Sequence, residues 1–436
     1  MRQKVLTTFF IVFLTCPGFA HAETSHFDMA LRPGNTEVWT ISAELELMRA
    51  YDTGTLNVLF QYTTNGQPVG FAFDAAGNYV YVAENDLDSR VCYVRCYNAS
   101  DGTLVSETVL SGIAWEVFVH SNGDIYVTSQ DPMYDGYIER FAPLTLTHLA
   151  TGDTGAWPTA IAESSLDGSI LVGSGRMSNT GSPPDIKTFT RITCHDSINL
   201  AVVNEYDAGI QQMVMSAVDN LLVIQNYGTL IVDPEYSDLI KGLTIIDLND
   251  GSIQFEWQIL PDIVRGSCYE TLNSKWFGCT LSSEEPTGSK LWMICDLNSP
   301  EPIRIEEFPA NRVVSMVAFP IDPDTVRLIG IDSLNEALWA YDADANAPPE
   351  ADFTSFPPSG PAPLEVTITN SSFDCDGDII EIYADWDNDG IPDETIPGSP
   401  PVIIHEFTAP GAHIFVLTVV DDDCATDDWT GTVVVG

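Results

Sequence analysis

A strand-turn unit recurs seven times between residues 37 and 342, and this repeat narrows the possible folds more than any other feature of the chain. Each unit contains an apolar strand that ends in an aromatic or apolar residue, often followed by Asp or Asn. The copies are Ala50-Tyr51-Asp52, Cys96-Tyr97-Asn98, Arg140-Phe141-Ala142, Thr193-Cys194-His195, Ile246-Asp247-Leu248, Ile294-Cys295-Asp296 and Ala340-Tyr341-Asp342, spaced by about 44 to 53 residues. Ahead of each lies a second apolar strand, usually behind a tight turn: Glu37 to Ile41, Ala76 to Val82, Asn122 to Val127, Asp167 to Val172, Asp219 to Val223, Asn273 to Phe277 and Pro323 to Ile329. Gly or Asn supplies the turn, and the strand behind it reads as buried on both faces. No single unit can cover its own apolar faces, so the copies must pack on one another. This period fits a four-stranded blade. The expected fold is all-β: a seven-bladed β-propeller over residues 23–345, with six or eight blades as the neighbouring counts. The seventh unit stops after its third strand near Asp342, so Ser25 to Leu31 is expected to supply the missing fourth strand and hide an open sheet edge.

The blade rhythm resembles the NHL and YVTN-type propellers of secreted bacterial proteins over residues 24–345. It is a rhythm of strands and turns, without a Trp-Asp ending or a paired-glycine kelch pattern. A Pro-rich linker, Ala343 to Pro349, then marks a boundary. Beyond it the composition changes: residues 350–436 hold 18 acidic side chains and no Lys or Arg. This segment, taken as 346–436, resembles a PKD domain. The resemblance is carried by Pro349-Glu350-Ala351-Asp352-Phe353, Gly360 to Val366, Ser371 to Ile380, Tyr383-Ala384-Asp385-Trp386-Asp387 and Gly411 to Asp423. It departs from the family at Cys424, where Gly is usual. The resemblance implies an immunoglobulin-like extracellular β-sandwich that serves binding or spacing and has no catalytic apparatus of its own.

The first 22 residues read as a secretory signal peptide. Arg2 and Lys4 form a basic start, Val5 to Thr15 an apolar stretch, and Ala20-His21-Ala22 a cleavage pattern. No later run is long and apolar enough for a membrane helix. The mature chain is therefore expected to be secreted, periplasmic or on the cell surface. Its 17 basic and 63 acidic side chains give a net charge of −46. Such a surface repels nucleic acid and anionic lipid, and it attracts divalent cations and basic partners. A hydrophobic content of 44% is too high for an acidic disordered chain.

One constellation stands out. Asp385-Trp386-Asp387-Asn388-Asp389-Gly390-Ile391-Pro392-Asp393 places carboxylates at positions 1, 3, 5 and 9 of a loop, with Gly at 6. That spacing wraps hard oxygen ligands around Ca²⁺, although the closing Glu of an EF-hand is absent at Ile396 and no helices flank the loop. Asp374, Asp376, Asp378, Asp421, Asp422 and Asp423 form a second acidic group. In an immunoglobulin-like sandwich the two loops carrying them lie at one end, and Cys375 and Cys424 sit within those loops as a disulfide candidate. Cys268 and Cys279 flank the turn Leu272 to Lys275 symmetrically, so a hairpin there is expected to bring them opposite one another. Cys92 and Cys96 lie too far apart along one strand to pair.

Catalytic signatures are poor. The histidines are scattered, Gly-x-Ser-x-Gly is absent, and Cys194 and His195 point to opposite faces of a strand. Channel candidates are Glu84, Asn85, Asp86, Glu116, Glu163, Gln225 and Asp332, with Trp115 and Trp157 at the mouth. The sequence points to an exported binding or adhesion protein whose propeller presents a ligand surface to an extracellular protein or carbohydrate, with Ca²⁺ as the candidate ion. A propeller hydrolase or lyase with an accessory PKD module is the alternative, and a structural cell-surface spacer is a third reading.

Overall fold

The computed structural model describes residues 28–86, 89, 91–132, 135–155, 157–174, 191–207, 212–226, 242–257, 262–270, 275–282, 289–294, 297–298, 300, 303–305, 313–322, 325–332, 337–344, 348–375, 377–422 and 425–436. The signal-peptide segment, Asp376, Asp423 and Cys424 lie outside them. All regular structure among these residues is β-strand. The chain divides into two compact units, 1–319 with 327–341 and 320–326 with 342–436.

The first unit is a succession of small antiparallel meanders. Six four-stranded sheets are followed by one of three strands, each built from consecutive strands. The opening strands of the first six are Asp28–Leu31, Gln67–Phe73, Ile113–Val119, Pro158–Glu163, Gln212–Val218 and Asp262–Glu270. Each of the first five packs against the opening strand of the next sheet, so together these strands form an inner wall. Apolar cores lie between neighbouring sheets. Trp39, Ile41, Phe71 and Val82 fill the first joint. Cys96, Val117 and Phe141 fill the second, and Ile138, Ile161 and Val172 the third. This is the arrangement of a β-propeller, in which no sheet has a core of its own.

Two irregularities repeat with the sheets. Where the third strand meets the fourth, the register shifts beside Tyr51, Tyr97, Phe141, His195 and Ile246. These residues close the strand motif seen in the sequence, so the motif marks a bulge. The opening strands carry a bulge as well. It falls at Val69, Trp115–Glu116, Thr159, Met213 and Arg265 in the second to sixth sheets.

The ring does not close as the sequence suggested. Asp28–Leu31 pairs with Glu37–Ser42 of its own sheet, Asp28 opposite Ile41 and Leu31 opposite Val38, and adds no strand to the seventh. The turn Arg32-Pro33-Gly34-Asn35 explains this. Gly34 and Asn35 adopt φ of 101° and 56°, and Arg32 pairs with Glu37 at 2.9 Å. Closing this short hairpin costs far less chain entropy than spanning about 300 residues. The first and seventh sheets meet instead through side chains: Met29, Val38 and Tyr51 against Phe319, Ile329 and Ile331.

The second unit is a two-sheet sandwich. Phe353–Phe356, Leu364–Asn370 and Val402–Phe407 form one sheet. Ser359–Gly360, Thr426–Val435, Gly411–Asp421, Ile379–Asp385 and Glu394–Pro397 form the other, in that spatial order. Alternation is clean: Leu364, Val366 and Ile368 are buried, and Glu365 and Thr367 are exposed. Val366, Ile368, Ile382, Phe415, Leu417, Val419 and Val433 meet in one core.

Candidate functional site

The acidic loop lies between Ile379–Asp385 and Glu394–Pro397, which pair as a hairpin with Ala384 opposite Glu394. Trp386 anchors the loop. Its indole stacks on His405 at 3.8 Å and packs near Phe407 and Phe415, while its Nε1 donates to Glu394 Oε2 at 3.3 Å. Burying this ring in the sandwich core fixes where the flanking carboxylates stand.

Asp385, Asp387 and Asp393 each place one carboxylate oxygen within 4.8 Å of the others. Backbone donors set their orientation. Asp385 Oδ1 accepts from Asp389 N–H at 3.2 Å and its Oδ2 from Gly390 N–H at 2.8 Å. Asp393 Oδ2 accepts from Trp386 N–H at 2.8 Å. Asn388 and Gly390 turn the chain with φ of 54° and 86°. Of the four carboxylates expected to act together, Asp389 falls outside the trio; its Oδ1 caps Ile391 N–H at 2.9 Å. Burial pushes the Asp385 carboxyl up, but the loop N–H groups outweigh it and hold it below its ordinary value. Asp387 is raised by the like charge of Asp389, then by burial and by Asp393 and Asp385. A carboxylate held ionised by backbone N–H groups beside one raised by like charge is a donor set that a hard cation would relieve.

In the second acidic group, the loops around Asp374 and Asp422 do meet. Asp378 N–H donates to Asp422 Oδ1 at 3.0 Å. A Cβ on Gly377 would stand 2.2 Å from Asp422 Oδ1 and 2.9 Å from Asp374 Oδ2, so a side chain there would push these carboxylates aside. Asp421 is fully buried and caps Ala425 N–H at 2.7 Å. Cys375 is half-buried in this region; its expected partner lies outside the described residues.

The Cys268–Cys279 pairing fails. The hairpin register sets Glu270 opposite Lys275, which puts Cys268 opposite Phe277 and Cys279 opposite Gly266. The turn is centred one residue earlier than the symmetric reading assumed, so the cysteines are offset by two. Cys279 remains a thiol and donates to Met316 Sδ at 3.7 Å.

Most channel candidates are engaged in holding sheets together. Glu84 is fully buried with Arg95 Nη1 at 2.6 Å, Tyr97 Oη at 2.5 Å and Asn65 N–H at 3.0 Å. Asn85 grips the Ala114 backbone of the next sheet through both amide atoms. Gln225 accepts from Ser267 at 2.5 Å, and Glu163 from Ser121 N–H at 2.8 Å. Trp115 and Trp157 pack on each other with centroids 5.4 Å apart. His195 is buried between Thr193 and Leu200. Glu116 is different: it lies half-buried on the inner wall, with Oε1 taking only the N–H of Val117 at 3.1 Å.

The first unit thus defines a β-propeller protein, and similar solved structures agree. Kuenenia stuttgartiensis hydrazine synthase matches with a TM-score of 0.56 at 12% identity, over 76% of this chain and 99% of that one. The β-propeller domain of Myceliophteria thermophila Cps50 (Swd1) matches with a TM-score of 0.54 at 8% identity, over 73% and 97%. At these identities the likeness is one of fold alone. No protein-family model and no curated protein matches the chain.

Proposed function

We propose that this chain is an exported binding protein: a seven-bladed propeller presents the ligand surface, and a PKD-type sandwich, stiffened by Ca²⁺, acts as spacer or partner contact. The carrying observation is the Asp385–Asp387–Asp393 trio, whose oxygens converge on a loop already ordered by its own backbone. Hard oxygen donors suit Ca²⁺, and an exposed site of this kind binds with a Kd of about 10⁻⁴ to 10⁻³ M, the extracellular range. The non-catalytic reading draws support from Glu84, Asn85, Glu163 and Gln225, whose polar atoms are used between and within sheets. The ligand is an extracellular protein or carbohydrate rather than nucleic acid, which a charge of −46 would repel. No helix among the described residues is long and apolar enough to cross a membrane.

The test is a calorimetric melt of the full chain in calcium and in chelator. At ten to a hundred times Kd, calcium stabilises the unit that binds it by about 1.4 to 2.7 kcal/mol, so the sandwich transition rises and the propeller transition stays. Asp387→Asn abolishes the rise. A sandwich transition indifferent to calcium at ten to a hundred times that Kd would refute the calcium assignment.

A further inference from the structure

Sulfur side chains gather where the sixth sheet packs on the seventh. Cys279 lies on the sixth sheet's second strand, Lys275–Ser282, and its thiol touches Met316 Sδ of the seventh sheet's opening strand, Val313–Asp322, at 3.7 Å. Cys268 comes from the adjacent strand, Asp262–Glu270. It stands opposite Phe277, while Gly266 stands opposite Cys279 and brings no side chain of its own. Residues directly opposite one another share a face of the sheet, as do residues two apart on one strand. Cys268 and Cys279 are therefore diagonal neighbours on one face, and the Met316 contact marks that face as the one toward the seventh sheet. The intervening Ser267 points the other way, to Gln225 of the fifth sheet.

This spacing suits an ion and not a disulfide. Diagonal neighbours on adjacent strands stand about 7 Å apart, wider than the Cβ separation of about 4 Å that a disulfide needs. A metal held at about 2.3 Å by each sulfur spaces two sulfurs by about 3.8 Å at a tetrahedral angle and about 4.6 Å at a linear one. The 3.7 Å between Cys279 and Met316 matches the tetrahedral end of that range. The donors are soft: thiolate and thioether ligands select Cu(I), whereas the carboxylates of the sandwich suit hard cations. Phe277, Leu291 and Met293, which share this face beside Cys279, are buried and bring no oxygen or nitrogen ligand. Burial keeps the proton on the Cys279 thiol, and Cys268 nearby holds it more firmly, so a metal must displace it. Cys268 is half-buried, which gives an ion its approach from solvent.

We propose that Cys268, Cys279 and Met316 form a Cu(I) site in the joint between the sixth and seventh sheets. Binding makes two copper–thiolate bonds and one copper–thioether bond. The two thiols release their protons to solvent, the thioether donates a lone pair, and copper stays Cu(I) throughout, so no oxidant or reductant takes part. Because the donors come from two sheets, the ion ties the seventh sheet to the sixth.

Anaerobic titration of the reduced full chain with Cu(I), delivered from a competing chelator, tests this. Wild type is compared with Cys268→Ser, Cys279→Ser and Met316→Leu, because other thiols of the chain also take up copper. Each serine variant should bind one equivalent less than wild type. Met316→Leu should keep that equivalent and lose a sulfur from the copper shell in X-ray absorption spectra, a change that altered packing alone does not produce. If the buried Cys279→Ser fails to fold, the half-buried Cys268→Ser carries the stoichiometry. Equal copper uptake by wild type and Cys268→Ser, or an unchanged sulfur shell in Met316→Leu, would overturn the site.

Discussion

At the residue scale, a few positions carry more than their size suggests. Gly390 is one. Its φ of 86° lies where a side chain is disfavoured, yet open space surrounds it, so the backbone alone demands glycine. Gly390→Ala should cost about 1 to 2 kcal/mol in the sandwich and weaken calcium binding, because the Gly390 N–H orients Asp385. Denaturant unfolding with and without calcium measures both effects. Glu84 is another. Truncating it to Ala leaves Arg95 Nη1 and Tyr97 Oη without their buried acceptor, while Glu107 still pairs Arg95 Nε, and should destabilise the propeller by about 1 to 3 kcal/mol, a loss visible as a lower urea midpoint. Glu84 was readable as a channel acid only because its sequence position lies on a blade strand. That Arg95 and Tyr97 on the next strand claim it depends on register.

At the element scale, the sheets are tied edge to edge by phenols as well as by apolar packing. Tyr62 Oη donates to Ala99 O at 3.0 Å, Tyr126 Oη to Ser197 O at 2.5 Å, and Tyr206 Oη to Leu248 O at 3.1 Å; each bond leaves one sheet for a turn of the next. Tyr81 Oη accepts from Leu144 N–H at 3.3 Å in the same sense. Tyr126→Phe should therefore cost about 1 kcal/mol, the net worth of one such bond, without changing the fold. Chemical denaturation followed by circular dichroism checks it. Tyr81 and Tyr126 reach out from the second strand of their sheets, Tyr62 and Tyr206 from the fourth, a pattern the sequence did not single out. Nor was the register of the hairpin joining Asp262–Glu270 to Lys275–Ser282 legible: symmetric spacing around a turn does not say where the turn centres, and a two-residue offset separates Cys268 from Cys279.

At the scale of the whole molecule, the sandwich carries a pH dependence that the propeller does not share. In the sandwich, burial against Trp386 holds His405 below its ordinary value even though Glu394 and Asp393 pull it up. The unfolded chain then binds the extra proton, so this contribution is present above about pH 6.5 and lost as pH falls through the folded value. Lowering pH from 7.5 to 5.5 should lower the sandwich transition, and His405→Gln should flatten that fall. Calorimetric resolution of the two transitions at several pH values tests it.

The sequence by itself determined the repeat, the all-β class and the acidic loop, because strand period and turn residues are local patterns that each copy of the repeat carries within itself. Local pattern set strand period and turn chemistry, and the seven copies had to pack because none can bury its own faces. Only the tertiary structure decided which groups far apart in the chain face each other. It joined the first and seventh sheets by packing, and left Asp389 out of a trio its spacing had included. Those outcomes follow from register, bulges and close backbone approach, which depend on the packing of whole sheets.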